Sequence, residues 1–121
     1  MTRPSFFWRA TRRVLAVLAA ALTAFPLPSA SADDVPPIRI SLKDHVFTPA
    51  EIPLTAGKTV TLQVTNSDDT AAEFECKPLR IEKMVPGGGV ISVQAHATSA
   101  GRLKFVDEYR EDATVGFFVV Q

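Results

Sequence analysis

Thr59-Val60-Thr61-Leu62-Gln63-Val64-Thr65 is the stretch that decides the fold class. Apolar and polar residues alternate along it, many are β-branched, and the turn-forming run Asn66-Ser67-Asp68-Asp69 follows at once. A period of two marks a strand with one face in a core and the other in water. Branched side chains suit that pleated surface, and Asn, Ser and Asp suit the turn. Upstream, Ile38-Arg39-Ile40-Ser41-Leu42-Lys43-Asp44 repeats the alternation. His45-Val46-Phe47-Thr48-Pro49 breaks it, and Pro49 favours a bend or a sheet edge. Residues 51–54 read as a short strand closed by a turn at Ala56-Gly57.

Downstream, residues 74–84 contain Pro78, which forbids one continuous central strand and predicts two extended pieces joined by a bend. Pro86-Gly87-Gly88-Gly89 is a turn, and Val90-Ile91-Ser92-Val93-Gln94-Ala95 is another strand. Ala100-Gly101 turns the chain into Leu103-Lys104-Phe105-Val106; residues 107–114 form a polar loop, and residues 115–120 close as an apolar strand. No long window has a helical period. About seven short strands punctuated by Gly, Pro and Asn predict an all-β Greek-key sandwich. Its expected core is Ile38, Ile40, Leu42, Val60, Leu62, Val64, Leu79, Ile81, Val93, Leu103, Phe105, Phe118 and Val120.

Residues 1–32 are read as a signal peptide and residues 33–121 as the domain. Arg3, Arg9, Arg12 and Arg13 precede an uncharged apolar run, and Ala30-Ser31-Ala32 offers a small-residue cleavage site. The run is shorter than the ~20 residues a spanning helix requires. Export to the periplasm follows. Cleavage removes those four arginines and leaves 9 basic against 13 acidic residues, a net charge of −4. An acidic chain is a poor partner for nucleic acid and a natural host for cations. A lone cysteine cannot form an internal disulfide. Serine-hydrolase order, nucleotide loops and zinc-finger spacing are all missing from the inventory.

Chemistry concentrates in Ala72-Glu73-Phe74-Glu75-Cys76-Lys77-Pro78-Leu79-Arg80-Ile81-Glu82-Lys83-Met84-Val85-Pro86. Carboxylates, a thiol and a thioether are donors that metals use, oxygen for harder ions and sulfur for copper. The competing reading is a solvated acidic face. Glu73 and Glu75 share one face of a strand; Cys76 points the other way, as a core filler or a ligand. Met84 is read as core filler, with copper ligation the alternative. His45 and His96 are the only imidazoles.

The chain resembles a cupredoxin, and more narrowly the EfeO-type cupredoxin-like domains of bacterial periplasmic iron-uptake systems. The resemblance lies in Phe47-Thr48-Pro49-Ala50-Glu51-Ile52, Ala56-Gly57-Lys58-Thr59-Val60, Leu62-Gln63-Val64-Thr65-Asn66 and Glu73-Phe74-Glu75. Glu82-Lys83, Pro86-Gly87, Ala100-Gly101-Arg102-Leu103-Lys104-Phe105 and residues 116–120 continue it. It departs from the blue-copper pattern of two histidines, a cysteine and a weak axial methionine. Asp107, Arg110 and Val115 stand at the places of the loop ligands, and the first histidine's place falls within residues 73–76. The resemblance to the EfeO type implies an acidic site instead. Its expected metal ligands are Glu75 with Asp107, then Glu73, His45, Glu82, Glu108 and Cys76.

What the resemblance implies for function is assistance to iron uptake beside an inner-membrane ferrous-iron permease and a periplasmic iron-binding partner. Copper is the implied cofactor and iron the substrate or ligand. Fe(II) would dock on a rim of Asp107, Glu108, Glu111 and Asp112, and a Cu(II) near Glu75 would oxidise it. A periplasmic copper carrier and a metal-free interaction domain are the alternatives.

Overall fold

Alternation along short apolar segments builds nine strands in the described part of the computed structural model, which comprises residues 35–121 together with Thr2, Phe25 and Pro26. The expected signal segment otherwise lies outside the described residues. Contacts divide the chain into Met1–Ala30 and Ser31–Gln121, and the second unit carries every strand named below.

The strands are β1 (Ile38–Lys43), β2 (Val46–Thr48), β3 (Glu51–Leu54), β4 (Thr59–Asn66), β5 (Ala72–Cys76), β6 (Ile81–Val85), β7 (Val90–His96), β8 (Gly101–Asp107) and β9 (Val115–Val120). They form a four-stranded sheet in the order β2-β1-β4-β7 and a five-stranded sheet in the order β3-β9-β8-β5-β6. Each sheet has one parallel pair, β1 with β4 and β3 with β9; the other pairings are antiparallel. The bend expected at Pro78 is a 3-10 turn over Lys77–Leu79, and a second 3-10 turn covers Glu108–Arg110 inside the polar loop.

Alternating residues of both sheets meet in the middle. Ile40, Leu42, Leu62, Val64, Ile81, Phe105, Phe118 and Val120 are buried as expected, while Ile38, Val60, Leu79, Val93 and Leu103 pack at the core's margin. The strand pattern missed the centre of that core. Phe47 and Phe74 join Phe105 and Phe118 in a chain of aromatic rings, with centroids 5.9 Å (Phe47–Phe74), 5.1 Å (Phe47–Phe105), 5.3 Å (Phe74–Phe105) and 4.7 Å (Phe105–Phe118) apart. Edge-to-face and tilted rings at such spacings add attraction beyond their buried area. Gly116, the cross-strand partner of Phe105, leaves its face open for that ring, which lies where a Cβ would stand.

Met84 corrects the sequence reading: it is exposed on β6. It pairs with outward-facing Glu73, whereas Ile81 and Val85 of the same strand are buried, so the methionine has no core to fill there. The free edges are guarded. Pro53 sits in edge strand β3, β2 has only three residues, and Lys83 of β6 donates across the seam to the Ser92 carbonyl of β7 at 3.3 Å.

Candidate functional site

Strand β5 sorts its side chains by parity. Ala72, Phe74 and Cys76 face the core; Glu73 and Glu75 face out of the five-stranded sheet. Register then brings partners to the same outer face: Glu82 of β6 lies opposite Glu75, and Met84 lies opposite Glu73. Glu108, in the turn after β8, folds over this surface. Carboxylate oxygens of Glu73, Glu82 and Glu108 all lie within 4.8 Å of one another. Two oxygens bound to opposite sides of one cation at ~2.1–2.4 Å are separated by about this much, so one ion can touch all three.

Electrostatics show how crowded these groups are. Glu108 is pushed up to about 7, chiefly by a hydrogen bond with Glu75, then by desolvation and the charges of Glu75 and Glu73. The Glu82 carboxyl is raised, mainly by its hydrogen bond and repulsion with Glu73. A hydrogen bond to Glu73 raises the Tyr109 phenol as well. Carboxylates held together in this way favour either a shared proton or a cation. Glu75 is 6% exposed and pairs with Lys77 at 3.5 Å.

Asp107 behaves differently, and the expected pairing of Glu75 with Asp107 at one cation is not formed. Asp107 is the cross-strand partner of Phe74, so its side chain turns to the inner side while Glu75 turns outward. It is fully buried, which also removes it from the rim expected to dock Fe(II). Its carboxylate accepts from the Glu73 amide at 3.0 Å, the Tyr109 amide at 3.1 Å and Arg110 Nη1 at 3.1 Å. Those donors occupy the group, and Asp107 is the cap of the second 3-10 turn.

The remaining sequence candidates separate. Cys76 is wholly buried in the core, and burial raises its thiol, so it stays protonated and away from the carboxylates. His45 stands at the β1–β2 turn, its Nδ1 3.4 Å from Asp68. Asp44 and His45 both take left-handed backbone (φ 50° and 61°), and Asp68 accepts the amide of each, at 2.6 and 2.9 Å. Backbone donation from His45 is the largest cause of the lowered Asp68 carboxyl. Thr114 donates to the His45 carbonyl at 2.7 Å, and buried Asn66 ties the next loop through the Thr70 and Val85 carbonyls. His96, at the other end of β7, shares a hydrogen bond with Thr59. Lys77 pairs with an acid, as its sequence context led one to expect; Tyr109 was not picked out, and its one signal was its place beside Glu108 in the acidic loop.

The described residues thus form a two-sheet sandwich of mixed sheets, with its loops tied together at one end. The chain belongs to the cupredoxin-like domain family, whose pattern matches residues 14–120. An uncharacterized protein of Rickettsia prowazekii (strain Madrid E) is 28% identical over 93 residues, covering 77% of this chain and 74% of that protein. Among solved structures, the metal-binding domain of the Cu(I)-exporting P-type ATPase CopA of Streptococcus pneumoniae D39 is 17% identical with a TM-score of 0.61, covering 69% of this chain and 83% of that one. Auracyanin A, a blue copper protein of Chloroflexus aurantiacus, is 15% identical with a TM-score of 0.61, over 71% and 98%. At these identities the likeness is one of fold.

A blue-copper centre does not fit the residues present. Asp107 and Arg110 are bonded to each other, Val115 is paired with Val106 in the β8–β9 ladder, and the only thiol and both imidazoles lie elsewhere.

Proposed function

We propose that this protein is an exported, cupredoxin-like cation binder whose site is Glu73, Glu82 and Glu108, with Glu75 beside them. The observation that carries the reading is the convergence of three carboxylates, from β5, β6 and the turn after β8, to within 4.8 Å. Oxygen-only donors suit hard ions, so iron in either oxidation state, Mn(II) or Cu(II) is the guest, and Cu(I) is not. The names of the structural neighbours support a metal ion as guest. The resemblance to EfeO-type domains supports a place in periplasmic iron uptake, handing iron to an inner-membrane permease and an iron-binding partner. The cation is cargo in this reading. The chain's residues do three things: Glu73, Glu82 and Glu108 bind, the aromatic core beneath β5 holds them in place, and Glu75 adds negative charge.

Calorimetric titration with Fe(II), Mn(II) and Cu(II), anaerobically for iron, tests it. One site is expected, weakened at least tenfold by Glu73→Gln with Glu82→Gln. Stoichiometric Cu(II) binding with no response to iron or manganese makes the protein a copper carrier. No ion retained at micromolar concentration leaves an interaction domain.

A further inference from the structure

Next to the carboxylate cluster, the same outer face carries a cleft of about 250 Å³ lined by Glu75, Lys77, Pro78, Lys104, Val106 and Glu111. Its volume equals that of about eight waters. Its floor is Glu75 with its cross-strand partner Val106, and its walls come from the two 3-10 turns. Lys104 points outward two residues before Val106 on β8. The cleft adjoins the cluster: Glu75 lines the first and stands opposite Glu82 of the second in the β5–β6 register.

The charge pattern is specific. A bare cation suits the three clustered glutamates but is repelled by Lys77 and Lys104 in the cleft. A bare anion suits the lysines but meets Glu75 and Glu111. A ligand of both signs, a metal centre with protruding carboxylate arms, matches each half. Building on the cation-binding reading, we propose that the ion arrives as a small polycarboxylate chelate, its metal at Glu73, Glu82 and Glu108 and a free carboxylate arm in the cleft between Lys77 and Lys104. Pro78 and Val106 then cover the carbon skeleton of that arm.

The test uses Mn(II) as bare hard cation, citrate alone, and Fe(III)–citrate as chelate, each titrated into the full mature domain. Mn(II) and Fe(III)–citrate are expected to bind, and citrate alone is not. Lys104→Gln should weaken Fe(III)–citrate by up to about fivefold, the reach of one exposed ion pair, and Lys104→Glu by more. Mn(II) affinity should hold or rise in both variants, because a bare cation gains when a positive charge nearby is removed. Fe(III)–citrate binding that ignores both Lys104 substitutions, or citrate binding as well alone as with iron, overturns the chelate proposal and leaves the cation site standing. Failure of Mn(II) and of Fe(III)–citrate alike to bind the unaltered protein overturns the cation site for hard ions on which the proposal rests.

Discussion

Asp107 and Glu108 are neighbours in the chain and opposites in circumstance. Asp107 is fully buried with three donors on its carboxylate; Glu108 is exposed, faces Glu73, Glu75 and Glu82, and is pushed up to about 7. The first holds the loop end of the sandwich together. The second destabilises the domain when ionised and gains a role only when a proton or cation arrives. Side-chain type predicts neither outcome; strand register and the start of a 3-10 turn decide both.

The largest expected effect breaks the locked half of this pair. Asp107→Ala takes the acceptor away from the Glu73 and Tyr109 amides and from the half-buried Arg110 guanidinium, and should cost about 3 kcal/mol, at ~1–3 for each buried donor left unpaired. Urea denaturation reads it. A loss below ~1 kcal/mol would show that water replaces the carboxylate and that the end is not locked.

Next comes the aromatic floor under both regions. Gly116→Ala puts a methyl group where the Phe105 ring lies and should cost about 1–3 kcal/mol through overpacking. It should also loosen β5 through the Phe74–Phe105 contact. Thermal melting and the line widths of the phenylalanine ring resonances check both consequences.

The smallest effect concerns the open half and depends on pH. Because the folded Glu108 carboxyl lies above its ordinary value of 4.5, its contribution is fully present below about pH 4.5 and is lost as pH rises through about 7. Glu108→Gln removes that loss. Its melting temperature should match the parent at pH 4 and exceed it at pH 8, in metal-free buffer. Asp68 runs the other way: its carboxyl is lowered, so its contribution is present above 3.8 and fades as pH falls. A Glu108→Gln gain at pH 4 as large as at pH 8 would mean that the cluster's repulsion is not the cause.

Much of this was legible in the chain. The period of two in residues 38–43 and 59–66 gave the sandwich, and parity alone placed Glu73 and Glu75 together with Cys76 turned inward. Pro78 announced the break between β5 and β6. Asp107 could not be assigned, because its face depends on pairing with Phe74, a residue 33 positions earlier, rather than on any local pattern. Met84 was misread for a related reason: its face follows from pairing with Glu73 in the β5–β6 register. Glu82 was named without its geometry, which comes from the β5–β6 register.

Lys83 has a consequence beyond its own strand. Open sheet borders invite other chains to extend them, and β6 and β7 are such borders on facing layers. A lysine reaching from one to the other puts a positive charge across the opening where a foreign segment would have to enter. Two copies approaching along that side meet charge against charge before any ladder forms.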